Sequence, residues 1–221
     1  MKTPLVIFGA GDIAQLAHYY FGHDSEYEVV AFCVDAAFLK EETFCGLPVV
    51  PFEDVDARFP ADRHAMFVAM SYAKVNGVRR AKYEAVREKG YRLASYVSSR
   101  ATVLNDGQIG ENCFILENNV IQPFVTIGNN VTLWSGNHIG HHSTIGDHCF
   151  LASHVVVSGG VTIAPQCFIG VNATLRDHIT IGERCVIGAG TLMLADAESE
   201  GVYVEQATPR SAVPSSRLRK I

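Results

Sequence analysis

The second half of the chain repeats an aliphatic residue at every sixth position. From Val97 to Ile187, sixteen successive sixth positions hold Val, Ile or Leu. Glycine follows the aliphatic residue in seven of these hexads, and the fifth position is mostly small or β-branched. A period of six fits neither the 3.6-residue turn of an α-helix nor the two-residue alternation of a simple strand. The pattern predicts a parallel β-solenoid of short strands and tight corners, with the aliphatic residues inside and glycine relieving strain at the corners.

The order of residue types within the hexad, aliphatic-Gly-x-x-small-x, resembles the left-handed parallel β-helix of hexapeptide-repeat transferases. That resemblance implies three hexads per triangular coil, so that residues 18 apart stack on one face. Under this stacking Cys149, Cys167 and Cys185 form a column at the small inward position. We interpret the column as buried structural packing rather than as a metal or redox ladder.

The first half of the chain alternates apolar strand patterns with amphipathic helix patterns. We predict strands at 4–8, 28–34, 65–70 and 91–93, and helices at 13–21 and 78–89. The order β-α-β-β-α-β indicates a small parallel α/β sheet. The predicted fold class is therefore an α/β, small Rossmann-like N-terminal domain over residues 1–94, followed by an all-β left-handed parallel β-helix over residues 95–221.

A glycine loop lies between the first predicted strand and the first predicted helix. Its pattern, Gly9-x-Gly11-x-x-Ala14, allows a tight turn and a close approach of phosphate to a helix N-terminus. Asp35 ends the second strand, where an acid accepts hydrogen bonds from a ribose or a base. About 95 residues supply only one mononucleotide-binding half, which favours a nucleoside diphosphate over NAD. The alternative is a glycine turn that only closes strand onto helix.

The predicted substrate-binding residues lie in this loop, at the end of the second strand and after the third strand. They are Gly9, Gly11, Asp12, Ile13, Asp35 and Ser71. Further candidates for contact with the substrate are Met70 and Tyr72 beside Ser71, and either Arg79 or Arg80.

Composition excludes several function classes. Lys and Arg number 18 and Asp and Glu 23, a net charge of −5, whereas a general nucleic-acid binder carries a basic surface. No apolar run reaches the roughly 18 residues that span a bilayer. The N-terminus has no cleavage-site pattern, and the six cysteines include no C-x-x-C pair. We therefore expect a cytoplasmic protein without a nucleic-acid or membrane partner.

Six of the nine histidines fall between His138 and His178. In the coil register His141 lies one coil below Gly159, which belongs to the segment Ser158-Gly159-Gly160. A base at neutral pH beside a flexible main-chain N–H resembles a proton acceptor next to an oxyanion donor. We expect His148, His154 and His178 to be surface or hydrogen-bonding residues instead.

With Gly-Ala-Gly-Asp-Ile-Ala at 9–14 and the repeat behind it, the chain resembles the NeuD/PglD-type family of bacterial nucleotide-amino-sugar N-acetyltransferases and sialic-acid O-acetyltransferases. The resemblance covers nearly all of the chain and includes residues 138–146, 168–174 and 201–204 with Pro209. It implies a first domain that holds the nucleotide of the sugar substrate, and a homotrimeric prism that binds acetyl-CoA between chains. It implies no metal cofactor.

The resemblance also implies roles for individual residues. His141 is similar to the general base of the family, and the backbone of Gly159 to its oxyanion donor. Acetyl-CoA is then expected to contact Gly159, Gly160, Gly170, Asn172, Ala173 and Arg176. The implied reaction is direct acetyl transfer to a sugar 4-amino group in a ternary complex, as a step of surface-glycan biosynthesis.

One position departs from the family pattern. Family N-acetyltransferases often carry an acidic residue directly after the histidine, whereas here the next residue is His142. Two questions stay open at this point: whether His141 or His142 is the base, and whether the acyl acceptor is an amine or a hydroxyl.

Three other functions compete with acetyl transfer. A zinc enzyme on the same prism would use His142 and His178, but two coils separate them by about 10 Å, too far for one ion within a chain. A non-catalytic nucleotide-sugar sensor would leave His141 beside Gly159 without a purpose. An NAD oxidoreductase rests on the glycine loop alone.

Overall fold

The computed structural model describes residues 2–206, 210, 212 and 214–217; Pro209 lies outside them. The N-terminal domain is a six-stranded sheet with three helices. Its elements are β1 (Thr3–Phe8), α1 (Asp12–His23), β2 (Tyr27–Val34), β3 (Thr43–Phe44), β4 (Leu47–Pro51), α2 (Val55–Arg58), β5 (Ala65–Val68), α3 (Gly77–Glu88) and β6 (Arg92–Leu93). Short 3₁₀ turns cover Ala36–Phe38, Phe52–Asp54 and Ser215–Arg217.

The strand order is β3-β4-β2-β1-β5-β6, and every pair is parallel except β3 with β4. The sequence prediction missed β3 and β4, so its four-strand sheet was incomplete. The two strands form a hairpin whose turn residues Cys45 and Gly46 both have positive φ, of 49° and 78°. Such a two-residue turn joins antiparallel strands tightly, but two and five residues of strand give little periodic signal.

Residues alternate across the sheet, so α1 and α3 cover opposite faces. Leu5 and Ile7 of β1 pack with α1, whereas Val6 and Phe8 pack with α3. The strand order reverses at β1, between β2 and β5. In open α/β sheets, ligands bind beyond the carboxyl ends of the strands at this point.

From Tyr96 onward the chain forms two-residue strands in three stacked parallel sheets. Successive coils pair in an 18-residue register, for example Val120 with His138 and His138 with Val156. The aliphatic series is buried in one continuous core. The predicted stacking of residues 18 apart is confirmed.

The three sheets define three faces of a prism, visited in a fixed order in each coil. The docking face, which contacts the N-terminal domain, holds β7 (Tyr96–Val97), β9 (Phe114–Ile115), β12 (Thr132–Leu133), β15 (Phe150–Leu151), β18 (Phe168–Ile169), β21 (Val186–Ile187) and β23 (Val202–Tyr203). The second face holds β8 (Thr102–Val103), β10 (Val120–Ile121), β13 (His138–Ile139), β16 (Val156–Val157), β19 (Thr174–Leu175) and β22 (Leu192–Met193). The third face holds β11 (Thr126–Ile127), β14 (Thr144–Ile145), β17 (Thr162–Ile163) and β20 (Thr180–Ile181).

Helix α3 fixes the N-terminal domain to the prism through Arg79, which is almost fully buried. Its guanidinium donates to the carbonyl oxygens of His148 and Cys149 at 3.0 and 3.1 Å. Asn76 donates to the carbonyl oxygen of Cys167 at 2.9 Å. Burial lowers the pKa of Arg79 to about 10, still far above neutrality. The two units are therefore joined by hydrogen bonds as well as by apolar packing.

Across the described stretches of the chain, none of the helices has the length and apolar character that crossing a bilayer requires.

Candidate active site

A cleft of about 650 Å³ lies beyond the carboxyl ends of β1, β2 and β5. The structure brings all six predicted substrate-binding residues to its wall: Gly9, Gly11, Asp12, Ile13, Asp35 and Ser71. Gly9 has a φ of +122°, and a Cβ there would lie 2.7 Å from the carbonyl oxygen of Ala69. Only glycine therefore allows β1 and β5 to come this close.

Helix α1 begins at Asp12, directly at the cleft, with Gly11 as its N-cap. The first N–H groups of a helix lack acceptors within the helix, and the helix dipole adds partial positive charge there. The loop from Gly9 to Ile13 thus presents backbone donors suited to a phosphate group.

The sequence analysis missed Lys82, which also lines the cleft. Its Nζ lies 2.6 Å from Oδ1 of Asp35, and both side chains are about three-quarters buried. The ammonium also lies 5.5 Å from the ring centroid of Phe8. The position of Lys82, four residues after the cleft residue Val78 on one face of α3, is the signal that would have identified it.

The cleft reaches the prism through Tyr72. The Tyr72 ring centroid lies 4.8 Å from that of Phe168 and 5.1 Å from that of Phe150, both on the docking face. Neither Arg79 nor Arg80 lines the cleft. Arg79 is instead buried between the domains, and Arg80 pairs with Glu84 at 2.8 Å. The suggestion that either arginine contacts the substrate is wrong for this cleft, because helix α3 turns both side chains toward other partners.

The second and third faces meet at a corner that carries His141 and Gly159 in adjacent coils. We call it the histidine corner; it comprises residues 122–124, 140–142, 158–160 and 176–178. A Cβ built on Gly159 would lie 2.7 Å from Cε1 and 2.8 Å from Nε2 of His141. The imidazole therefore occupies the space that any side chain at Gly159 would need. The contact between these two residues, expected from the 18-residue spacing, is present.

His141 is held by its neighbours on the corner. Gln122 accepts a hydrogen bond from the backbone N–H of His141 at 2.8 Å, and Gly160 donates its N–H to the carbonyl oxygen of His141 at 2.8 Å. The Nδ1 atoms of His141 and His142 lie 3.0 Å apart. One of these two nitrogens must carry the proton, and the other must accept it.

The tautomer of this hydrogen bond decides which ring is able to act as a base. If His141 donates from Nδ1, its Nε2 has a free lone pair and is able to accept a proton. If His141 accepts at Nδ1, its Nε2 carries hydrogen and is no base. Only the first tautomer is a proton acceptor at Nε2, beside Gly159. His142 then occupies the place of the orienting acid that is absent from this sequence.

His178 also lies at the histidine corner, where its ring packs against Gly160 of the coil below, and the His154 ring packs against Gly136 of the coil below at the corner between the docking face and the second face. His138 is half-buried on the second face. His148 is buried beside Tyr83, accepts a hydrogen bond from Asn130 at 2.9 Å, and has its pKa lowered by burial. Within the described residues, no group of three or more His, Cys, Asp or Glu side chains is arranged to hold a metal ion.

The predicted coenzyme residues fall at two corners. Gly159, Gly160 and the exposed Arg176 belong to the histidine corner. Gly170, Asn172 and Ala173 lie at the corner between the docking face and the second face. The Ala173 side chain is fully buried in the prism core, which leaves only its backbone for the expected contact. Arg184 lies at the remaining corner, between the third face and the docking face, and pairs with Glu200 at 3.1 Å.

The cysteine column is a structural feature. Cys149, Cys167 and Cys185 are buried in the prism core, and each Sγ lies within 3.3 Å of a main-chain carbonyl oxygen at the same corner of the next coil. Burial raises the pKa of the Cys185 thiol, which disfavours the reactive thiolate. All six cysteines of the chain are free thiols.

Comparison with known families identifies the repeat. Residues 106–141, 124–159 and 160–194 match the family model described as bacterial transferase hexapeptide (six repeats). No curated protein sequence matches the chain.

Solved structures share the fold across both domains. A perosamine N-acetyltransferase from Caulobacter crescentus, solved with CoA and GDP-perosamine, is 23% identical with a TM-score of 0.79; the match covers 90% of this chain and 92% of that one. The acetyltransferase domain of PglB from Neisseria gonorrhoeae with acetyl coenzyme A is 19% identical, with a TM-score of 0.80 and coverage of 91% and 96%. WeeI from Acinetobacter baumannii is 21% identical, with a TM-score of 0.76 and coverage of 90% and 94%.

These matches confirm the predicted fold class, a small Rossmann-like domain followed by a left-handed parallel β-helix. The resemblance found in the sequence is thereby confirmed for the repeat and for the arrangement of the two domains.

Proposed function

We propose that this protein transfers the acetyl group of acetyl-CoA to the 4-amino group of a nucleoside-diphosphate-linked sugar. The observation that carries the proposal is the imidazole of His141 lying against Gly159 at an exposed corner of the prism. A proton acceptor beside a main-chain donor is the arrangement that acyl transfer from a thioester needs.

The solved relatives support the same reaction class. The Caulobacter protein is named a perosamine N-acetyltransferase and holds CoA and GDP-perosamine, and the Neisseria domain holds acetyl coenzyme A. The nucleotide in the Caulobacter structure is a guanosine diphosphate, so GDP joins UDP and dTDP among the substrates to be tested. The reaction would serve surface-glycan biosynthesis.

The N-terminal cleft is the proposed nucleotide site. The backbone donors from Gly9 to Ile13 and the ammonium of Lys82 suit a diphosphate, and Asp35 suits a ribose hydroxyl. The Phe38 side chain at the cleft is 68% exposed and offers a surface on which a base stacks. We assign residues 1–94 to this unit and residues 95–221 to the acyltransferase prism.

The cleft and His141 lie on different sides of one chain. The cleft adjoins the docking face, whereas the histidine corner is where the other two faces meet, opposite that face. The second face also exposes Val156 and Leu192. A homotrimer that covers this face would bring the cleft of one chain toward His141 of its neighbour, so we propose that the site is shared between chains.

The proposed chemistry is a direct transfer. The sugar amine attacks the thioester carbonyl carbon while Nε2 of His141 takes a proton from the amine. The N–H of Gly159 stabilises the oxyanion, a contribution of about 3 kcal/mol in comparable sites. The carbon–sulfur bond then breaks, and the coenzyme thiolate recovers the proton from His141. The six free cysteines suit a reducing, cytoplasmic location for this reaction.

The test is thiol release from acetyl-CoA by the purified protein with UDP-, dTDP- and GDP-linked 4-amino sugars. We expect turnover with at least one of them and an amide product by mass spectrometry. His141→Ala should lower kcat by about 10² or more. The matched control is His154→Ala, because His154 packs on Gly136 as His141 packs on Gly159 but at another corner.

Two results would contradict the proposal: full activity in His141→Ala, or an equal loss in His154→Ala. An ester product from a 4-hydroxy sugar, with the amino sugars inert, would establish the O-acetyltransferase alternative.

A further inference from the structure

Ser143 is a hydroxyl inside an otherwise apolar column of the prism. Its side chain is fully buried, and the residues stacked above and below it at 18-residue intervals are Val125, Val161 and Ile179. A buried hydroxyl costs desolvation unless it is hydrogen-bonded, and an aliphatic residue fills the same position in the coil below and in the two coils above. Ser95 makes the same pair of hydrogen bonds, to Gly110 and Cys113, at another corner, but Ser143 is the member of its column that lies in the coil of His141.

The Ser143 hydroxyl bridges the turn of the next coil, Ser158–Val161. It donates to the carbonyl oxygen of Ser158 at 3.0 Å and accepts from the N–H of Val161 at 3.2 Å. Both ends of the turn are thus tied to a single side chain from within the prism.

The first of these bonds fixes the direction of the Gly159 N–H. The Ser158 carbonyl and the Gly159 N–H belong to one peptide group, and the described residues contain no cis peptide bond. In a trans peptide the two groups point in opposite directions. Because Ser143 holds the carbonyl inward, the N–H points outward, to the side where the His141 ring lies. In the part of the chain that the structure describes, no acceptor takes this N–H.

The coil below packs against the same peptide. A Cβ on Gly140 would lie 2.6 Å from the carbonyl carbon of Ser158 and 2.7 Å from the nitrogen of Gly159. The peptide is therefore enclosed by Gly140 from one side and oriented by Ser143 from the inside.

We propose that Ser143 is a positioning residue that aims the Gly159 N–H at the oxyanion. It touches no substrate and acts only through the Ser158–Gly159 peptide. The inference rests on the proposed acetyl transfer, since it assigns a purpose to the donor that this reaction uses. A preorganised donor stabilises developing charge without reorienting during the reaction, which is why its direction matters to kcat.

The sequence itself offers matched variants. Ser143→Val places in this coil the residue that Val125 and Val161 supply in the neighbouring coils, so it keeps the packing and removes both hydrogen bonds. Ser143→Ala removes the same bonds in a smaller side chain. Ser143→Cys keeps an inward donor, because Cys149 and Cys167 reach the carbonyl oxygens of Ala164 and Gly182 at 3.3 and 3.0 Å from equivalent positions.

We expect Ser143→Val and Ser143→Ala to lower kcat about 10-fold, with little change in the KM for acetyl-CoA. The reason is that a misdirected N–H donor loses more of its interaction with the oxyanion of the transition state than with the bound substrate. Ser143→Cys should keep most of the wild-type kcat. Cys149→Ala is the structural control: it removes an inward donor at a corner away from His141, so it should lower the melting temperature without lowering kcat.

The outcomes separate the two proposals. No turnover by the wild type, or no loss in His141→Ala, refutes the proposed function. If the wild type turns over and His141→Ala is impaired, three results would still overturn the role of Ser143. The first is a wild-type kcat in Ser143→Val, and the second is a loss of kcat in Cys149→Ala equal to that in Ser143→Val. The third is a kcat of Ser143→Cys as low as that of Ser143→Val. A crystal structure of Ser143→Val is expected to show the Ser158–Gly159 peptide reoriented, and an unchanged peptide likewise overturns it.

Discussion

The Nδ1 atoms of His141 and His142 lie 3.0 Å apart at the corner where Gly159 presents its backbone. A neutral imidazole accepts a hydrogen bond as a carboxylate does, but without the negative charge. His142 therefore stands where the resemblance led us to expect an acid after His141, and we expect it to orient His141 while stabilising its charged form less strongly.

The first prediction concerns the hydrogen bond between the two rings. His142→Asn places Oδ1 close to the former Nδ1 and suits the backbone, since His142 has a φ of 59° and Asn tolerates this region. We expect His142→Asn to keep most of the activity and His142→Ala to lower kcat about 10-fold, as loss of an orienting partner weakens general-base catalysis. Steady-state kinetics with a saturating sugar substrate measures both. If His142 is itself the base, His142→Asn will instead lose at least as much activity as His141→Ala.

The second prediction concerns the space above Gly159. Gly159→Ala puts a methyl group 2.7 Å from Cε1 of His141, so the ring must leave its position. We expect activity to fall by about 10² while the prism stays folded, because a displaced base is lost to the reaction. Gly136→Ala meets the His154 ring at the same 2.7 Å and is the control; because Gly136 has a φ of +79°, this variant also strains the backbone. Equal activity losses in the two variants would show that the effect is structural and not specific to His141.

The third prediction concerns Lys82 in the proposed nucleotide site. Lys82→Met removes the cation and leaves Asp35 unpaired beside the expected diphosphate, so we expect nucleotide affinity to fall about 10-fold or more. The control is Lys89→Met, which breaks a similar ion pair with Asp56, at 2.8 Å, outside the cleft. Isothermal titration with UDP, dTDP and GDP measures the change. Unaltered affinity in Lys82→Met would place the phosphates elsewhere.

The fourth prediction concerns pH and the domain interface. Burial lowers the pKa of His148 below its usual 6.5, with the cations Arg79 and Arg80 acting in the same direction and Asp147 opposing. Between 6.5 and that lowered pKa the unfolded chain binds a proton at His148 that the folded chain does not. The free energy of unfolding therefore falls as the pH drops through this window.

His148→Asn tests this dependence. It keeps an acceptor near the former Nδ1 for Asn130 and tolerates the φ of 63°, but it does not titrate. Urea unfolding at pH 7.5 and 5.5 should show a smaller loss of stability on acidification in the variant than in the wild type. An identical pH dependence would mean that His148 is protonated as readily in the folded protein as in the unfolded chain.

Sequence patterns predicted the parts of this protein that repeat. In a prism of three hexads per coil, the residue number alone decides whether a side chain points inward and what lies one coil away. That rule brought His141 to Gly159 and placed Ala173 inside, although Ala173 had been included among the coenzyme contacts. The glycine loop was also predictable from the sequence. A side chain at Gly9 would collide with the carbonyl oxygen of Ala69, so the close approach of the two strands requires the glycine that the sequence shows.

Only the tertiary structure decided what happens where the two domains meet. Arg79 has the sequence appearance of a surface cation, yet docking of α3 on the prism buries it against main-chain carbonyls. Docking also buries His148, while helix α3 turns Lys82 into the N-terminal cleft. The physical reason is that a repeat encodes its contacts in a period along the chain, whereas contacts between domains depend on two surfaces whose relative placement no local pattern specifies.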